Sequence, residues 1–255
     1  MIRFEQVCKS FGTRLVLDRV DFEVEEGEVF VIVGLSGAGK SVTLKHVIRL
    51  ERPDSGEVYV DGEAIGGLSV RELSRVRSKF GVLFQGGALM QWMTVRENVA
   101  LPLREHTKRS DREILALVDE KLELLGLGDA GDLYPSDVSG GMRKRAGLAR
   151  AIIMDPKIVL YDEPTSGLDP VTSRKIDEVI VDLRRRLGIT SVVVTHDLHS
   201  ALSIGTRIVM LHEGRVVENA TPAEFLRSEH EMVRRFLESQ YVTRRGKWET
   251  EYGQI

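Results

Sequence analysis

Gly34-Leu35-Ser36-Gly37-Ala38-Gly39-Lys40-Ser41 is the stretch whose reading decides the fold. It matches the pattern G-x-x-x-x-G-K-[ST]. A short apolar run, Val29–Val33, precedes it directly, and a helical run over residues 42–48 follows. That strand–loop–helix context is what the pattern requires to be more than a chance glycine turn. Glycines let backbone N–H groups converge on phosphate oxygens, and the start of the helix adds its dipole. Lys40 supplies a point charge suited to β- and γ-phosphates. The Ser41 hydroxyl is placed to ligate magnesium.

Outward from the loop, apolar runs rich in Val and Ile recur at 81–84, 158–161 and 191–194. Near-continuous apolar strands imply a sheet buried on both faces. Helical stripes separate them: Ile114, Leu117, Val118, Leu122 and Leu125, and Ile176, Val179, Ile180, Leu183 and Leu187. Strands alternating with helices predict an α/β domain with a mostly parallel core. The runs 3–7, 20–24 and 56–60 alternate instead, with turn residues beside them at 54–56 and 61–62. They predict an antiparallel β side sheet. Strand signals fade between Gln85 and Gly141, so residues 86–145 are read as a helical subdomain inserted into the core.

Composition narrows the function. With 42% hydrophobic and 29% charged residues, the chain can bury an ordinary core. Asp and Glu outnumber Lys and Arg by 39 to 36, so no global positive field attracts nucleic acid. The basic clusters Arg71, Arg75, Arg77, Lys79 and Arg143, Lys144, Arg145 therefore read as solvated faces. Cys8 stands alone, which rules out an intrachain disulfide and fits a reducing compartment. The opening MIRFEQV is not expected to be a secretory signal, because Glu5 interrupts it. The apolar runs fall far short of the roughly 20 residues that span a bilayer. A membrane role is expected to run through another chain.

Four further segments carry chemistry. The strand 158–161 ends in Asp162 and Glu163. An acid at a strand end can hold magnesium through water, and the next residue is suited to polarise an attacking water. Val138-Ser139-Gly140-Gly141-Met142 opens an apolar-striped helix that stops before Pro156. Ser166-Gly167-Leu168-Asp169 and Thr195-His196-Asp197 complete the set. These motifs, in this order, resemble the ABC ATPase family over residues 1 to about 237. The resemblance implies a P-loop NTPase core, with residues 1–238 as the ATPase domain and 239–255 as a C-terminal extension. It implies ATP and Mg2+ as ligands and a head-to-tail homodimer beneath integral-membrane permease subunits, at the cytoplasmic face of the cell membrane.

Residue by residue, Phe11 matches the aromatic that stacks on adenine, with a strand-end core Phe as the alternative. Gly34, Leu35, Ser36, Gly37, Ala38, Gly39, Lys40, Ser41 and Val42 match the ATP-binding loop. Ser41, Gln85 and Asp162 match the metal-side residues. Gln85 also links to the helical subdomain, though an exposed loop Gln would read the same. Lys40, Gln85, Glu163 and His196 match the catalytic set. Ser139, Gly140 and Gly141 match the signature that reaches the opposite subunit's ATP, and Asp169 the loop at the dimer interface. Two positions depart from the family: Val42 stands where Thr is usual, and Met142 where Gln is usual.

The stretches GKSVTLKH, FQGGAL and SGGMRKRAGLARAI resemble ATPases of the Mce/Mla lipid-transport branch. This implies a phospholipid-class substrate. Transport of another small solute, a non-transport ABC ATPase acting on nucleic acid, and an inactive nucleotide-binding scaffold are the alternatives. A non-transport enzyme usually needs a coiled-coil insertion or a second cassette, and intact Lys40, Glu163 and His196 speak against an inactive one. Ala88, Leu89, Met90, Trp92 and Met93 form an apolar loop that suits a docking helix. Packing within the helical subdomain is the other reading of that loop. In the tail, Tyr241, Trp248 and Tyr252 among basic residues suggest an interface, against a frayed terminus.

Overall fold

The computed structural model describes residues 1–240. Tyr241, Trp248 and Tyr252 of the tail lie outside the described residues. In chain order the elements begin β1 (Ile2–Phe11), β2 (Arg14–Val24), β3 (Val29–Val33), α1 (Lys40–Val47), β4 (Ser55–Val60), β5 (Glu63–Ala64) and α2 (Val70–Arg77). Then come β6 (Phe80–Leu83), α3 (Val95–His106), α4 (Asp111–Leu124), α5 (Gly140–Ile152), β7 (Ile158–Asp162), α6 (Pro170–Leu187) and β8 (Thr190–Val194). They are followed by α7 (Leu198–Ile204), β9 (Arg207–His212), β10 (Arg215–Ala220), α8 (Pro222–Phe225) and α9 (Glu231–Ser239). The chain folds as two compact units, Met1–Ser69 with the chain from Val194 onward, and Val70–Val193.

In the first unit, β2, β1, β4 and β5 form an antiparallel sheet in that order. The inward residues Phe4, Val7, Leu17, Val20, Phe22 and Val24 are buried; the alternation is interrupted where the β1–β2 register shifts, beside Gln6 and Arg19 at positive φ. Phe22 stacks on Phe4 at 4.4 Å and on Phe30 of β3 at 5.1 Å, which ties this sheet to the strand before the phosphate loop. β3 runs parallel to β9, from Phe30↔Arg207 to Val33↔Met210, and β10 returns antiparallel beside β9. All five β3 side chains are buried. The β9–β10 hairpin was not read from the sequence. Its signal is Glu213-Gly214, with φ of 47° and 77°, the two positive values that a two-residue type I′ turn needs.

In the second unit, β8, β7 and β6 lie side by side in that order, with β6 parallel to β7 from Phe80↔Ile158 to Leu83↔Tyr161. α3 and α4 both begin at capping boxes, Thr94 with Glu97 and Ser110 with Glu113, which satisfy N–H groups that the first turn leaves open. Ile114, Val118, Leu122 and Leu125 are buried as their spacing predicts, as are Ile176, Ile180 and Leu183 of α6. Leu117 and Val179 of the same stripes are half-buried, and Leu187 is 47% exposed where α6 ends and Gly188 turns away in the left-handed conformation. Among the described residues no helix is long and apolar enough to cross a membrane.

Asn98, fully buried on α3, organises the loop that follows β6. Its Oδ1 accepts from the Met90 N–H at 2.7 Å, and its Nδ2 donates to the carbonyls of Met90, Met93 and Thr94 at 3.0, 3.1 and 2.9 Å. One side chain thereby satisfies several backbone groups of residues 90–94. Asn98→Ala is expected to lower the unfolding free energy by about 1–3 kcal/mol, the cost of leaving such groups unpaired. Urea denaturation measures it, and an unchanged midpoint would show that the loop is held by something else.

Candidate functional site

In the first unit the loop between β3 and α1 is shaped by two close approaches. A β-carbon on Gly34, at φ +152°, would stand 2.3 Å from the Leu211 carbonyl oxygen. One on Gly39, at φ +103°, would stand 2.7 Å from Leu17 Cδ2 and 2.9 Å from the Val16 oxygen. Only glycine fits at either position. Leu35, Ser36 and Gly37 are exposed at the loop tip, whereas Gly34, Ala38, Gly39 and Lys40 are buried. Gly39 is the N-cap of α1 and, as a glycine, supplies no side-chain cap to the N–H groups that open the helix. Lys40 is 7% exposed, and its Nζ donates to the carbonyls of Gly34 at 2.7 Å and Leu35 at 3.1 Å. The lysine thus folds back onto its own loop. A buried ammonium beside a helix start whose N-cap is a glycine fits a phosphate group.

Ser41 and Val42 are half-buried in the first turn. Thr43, one residue on from the missing hydroxyl, bonds the Gly39 carbonyl at 3.1 Å and does not face the loop tip. Phe11 ends β1 with 46% of its surface exposed, so it is not a core side chain. Lys9 Nζ lies 5.4 Å from the centre of its ring. Arg14 also reaches the loop, with Nη2 3.2 Å from where a β-carbon of Gly37 would be. Arg14 could not be read from the sequence, since a lone exposed Arg at a strand start carries no pattern.

His196 follows β8 in an exposed position, anchored by Thr195, whose N–H donates to the Ile32 carbonyl at 3.1 Å. Asp197 caps α7 through the N–H groups of His199 and Ser200. Gln240 holds this segment from the far end of the described chain: its Nε2 donates to the His196 carbonyl, and its Oε1 accepts from the Leu198 N–H at 2.8 Å. Periodicity and motif spacing carry no trace of a contact across 44 residues.

The second unit holds the remaining predicted residues. Gln85 is exposed just beyond β6. After it, Gly87 and Ala88 have positive φ, and Arg150 of α5 donates to their carbonyls at 3.1 and 2.9 Å. Leu89 is buried and belongs to the core, while Met90 and Trp92 are exposed, Trp92 by 76%. Of the apolar loop residues, then, Leu89 packs inward. Asp162 ends β7 half-buried, and Glu163 follows with φ +51°. Lys144 of α5 donates from Nζ to the Glu163 carbonyl at 2.7 Å. Burial pushes the Lys144 pKa down, opposed by the negative charges of Glu163 and Asp162.

The basic cluster on α5 is a correction to the sequence reading. Arg143, Lys144 and Arg145 are not a solvated face. Arg143 donates to the carbonyls of Pro135 and Val138, and Arg145 to those of Leu125 and Gly126. Charge counting could not show this, because the acceptors are backbone carbonyls that every residue carries.

Ser139 is exposed and caps α5, its Oγ accepting from the Met142 N–H at 3.3 Å. A β-carbon on Gly141 would meet Thr172 Cγ2 at 2.3 Å, and Thr172 in turn donates to Asp169 Oδ2 at 2.6 Å. The starts of α5 and α6 therefore meet, bringing Ser139, Gly140, Gly141 and Asp169 into one patch. Among the described residues no cluster of three or more His, Cys, Asp or Glu side chains could hold a metal by itself. Magnesium accepts such a setting, since it keeps waters and takes few protein ligands alongside phosphates.

A family model described as ABC transporter matches residues 17–166. The chain belongs to the ABC transporter family. Probable ribonucleotide transport ATP-binding protein mkl of Mycobacterium leprae is 43% identical over 241 residues, 94% of this chain and 70% of that protein. Methionine import ATP-binding protein MetN of Geobacillus kaustophilus is 40% identical over 242 residues, 93% of this chain and 70% of that protein. Among solved structures, the dimeric ATP-binding cassette MJ0796 in a post-hydrolysis state with ADP and Pi aligns with a TM-score of 0.80 at 35% identity, over 87% of this chain and 99% of that one. The chain is an ABC ATPase that uses ATP and Mg2+ and couples hydrolysis to transport. Cassettes of this family form dimers and partner membrane permeases.

Asp169 has a structural duty that can be separated from any interface role. Its carboxylate caps α6 through the Val171 and Thr172 N–H groups, each at 3.0 Å. The Thr172 hydroxyl, and after it the Thr172 N–H, hold its pKa below 3.8. Because the folded value is depressed, the stability it adds is present above pH 3.8 and is lost as pH falls through the lower folded value. At neutral pH, Asp169→Ala is expected to lower the thermal midpoint and Asp169→Asn to retain most of it. Melts of wild type and Asp169→Ala should converge in acid, and a constant gap down to the folded pKa would contradict the cap.

Proposed function

We propose that this ABC ATPase drives movement of phospholipid-class lipids through integral-membrane permease subunits, acting as a head-to-tail homodimer at the cytoplasmic face of the membrane. The observation that carries the chemistry is the buried Lys40 folded onto the carbonyls of its own loop at the start of α1, where Gly34 and Gly39 leave no room for a side chain.

In this reading Phe11 stacks on adenine, and residues Gly34 to Val42 cradle the phosphates through backbone N–H groups. Ser41, Gln85 and Asp162 hold magnesium, directly or through water. A magnesium ion held there would supply positive charge against the charge that develops on the transferred phosphate. Glu163 polarises the attacking water, and His196 contacts the γ-phosphate. Ser139, Gly140 and Gly141 serve the phosphate bound by the other copy, with Asp169 at the interface. The Ser139–Gly141 patch is exposed at its tip, as a surface completed by a second chain needs to be. Loss of the Val42 hydroxyl leaves its N–H in place, and Met142 leaves Ser139 and Gly141 unchanged.

Met90 and Trp92 are the apolar side chains offered to a permease helix, with Ala88 and half-buried Met93 beside them. We assign the segment 239–255 to contact with a neighbouring subunit. The lipid substrate rests on the stretches from Gly39 to His46, Phe84 to Leu89 and Ser139 to Ile152 and on their likeness to Mce/Mla-type ATPases. A second reading, import of a small solute, is favoured by the names of the relatives, which concern ribonucleotide and methionine.

The test is the complex copurified with its permease partners in detergent. Its ATPase activity is expected to rise with added phospholipid and not with methionine or ribonucleotide. A Glu163→Gln complex should bind ATP yet turn over about 10²–10⁴-fold more slowly, the usual worth of such a group. Stimulation by methionine or ribonucleotide alone would replace the lipid reading with solute import.

A further inference from the structure

Four cationic side chains of α5 end on backbone carbonyls within the second unit: Arg143, Lys144, Arg145 and Arg150. Three of these carbonyl sets belong to loops with no catalytic carboxylate. Lys144 differs, because its acceptor is the carbonyl of Glu163 itself, at 2.7 Å. The lysine is 4% exposed, so its ammonium has been taken out of water to make this contact. Glu163 has φ +51°, a left-handed conformation that a non-glycine residue holds only when its surroundings impose it. The following Pro164 and Thr165 are buried, so the chain turns inward immediately after the carboxylate.

We propose that Lys144 is a positioning residue for hydrolysis, which fixes the strained backbone of Glu163 and so sets the direction in which its carboxylate leaves the chain. The proposal rests on the reading of Glu163 as the water-polarising group. It adds a reason for a lysine on the signature helix: its head brings a buried cationic donor to the Glu163 carbonyl at 2.7 Å, beside the longer contact from the Ser166 N–H at 3.3 Å. When the lysine donor is removed, the Glu163 carbonyl keeps the longer Ser166 contact but loses the shorter, charged one, and its backbone is held less firmly at positive φ. Displacement of a catalytic group by about 1 Å can cost on the order of 10²-fold in rate without touching substrate binding.

The test compares purified Lys144→Met, which has no donor, with Lys144→Arg, which keeps one, and with Arg145→Met. The last removes a cation of the same helix that holds the carbonyls of Leu125 and Gly126. Lys144→Met is expected to lower kcat about 10- to 100-fold with KM for ATP within about threefold of wild type. Lys144→Arg should recover most of kcat. Arg145→Met should keep kcat within about threefold, whatever thermal stability it loses. In a Glu163→Gln background, Lys144→Met should add no further loss, because both changes remove the same function.

The proposal is overturned if folded Lys144→Met keeps wild-type kcat, if Arg145→Met loses as much, or if the losses of Lys144→Met and Glu163→Gln multiply. Should Lys144→Met fail to fold, Lys144→Gln carries the same comparison, with a shorter neutral donor and an intermediate kcat expected. Near-normal hydrolysis by Glu163→Gln would remove the reading beneath the proposal. A dead Glu163→Gln beside a fully active Lys144→Met would remove the proposal alone.

Discussion

The Leu211 carbonyl oxygen stands 2.3 Å from where a β-carbon on Gly34 would lie, and the rest of the phosphate loop follows from that contact. β9 runs beside β3 in parallel register, so its carbonyl meets the loop exactly where the chain must leave the strand. Space for a side chain is gone, and the loop has to turn tightly. The turn leaves the start of α1 without a side-chain cap and directs Lys40 back onto the carbonyls of Gly34 and Leu35. A second squeeze at Gly39, against Val16 and Leu17 of β2, brings the antiparallel sheet into the same arrangement. The shape of this loop is thus a product of how closely strands β2, β3 and β9 are packed.

A second dependence runs through α5. Its buried and half-buried cations end on carbonyls of the segment before Ser139, the end of α4, the loop after Gln85, and Glu163. Carbonyls in left-handed or irregular turns have no helix or strand partner, and a buried cation needs acceptors. Each side of this exchange removes the other's cost. One helix therefore contacts several loops that sequence motifs mark separately. A movement of the Gly87–Ala88 carbonyls would reach Arg150 and the same rod that holds Glu163.

The sequence carried the parts of this fold that depend on local pattern. Apolar runs located β3, β6, β7 and β8, alternation located β1, β2 and β4, and the glycine pattern located the phosphate loop. What escaped it was long-range or backbone-directed. The β9–β10 hairpin was missed although Glu213-Gly214 marks its turn. The α5 cations were read as solvated because their acceptors are carbonyls, which have no letter in a sequence. Gln240 on the His196 loop and Arg14 beside Gly37 depend on packing between distant segments. Leu89 and Trp92 sit three residues apart in one apolar loop, yet one is buried and the other open, since Asn98 sets how that loop is folded.

The central claim is that each catalytic site takes Lys40 from one chain and Ser139 from the other. Heterodimers with one copy of each chain, isolated by two different affinity tags, measure it by their ATPase activity. Pairing Ser139→Arg with Lys40→Ala leaves one site with neither defect, and the account predicts activity that neither homodimer has. Pairing wild type with a chain carrying both changes spoils both sites, and the account predicts none. An inactive first heterodimer beside an active second one would show that both motifs act within one chain, and would contradict the account.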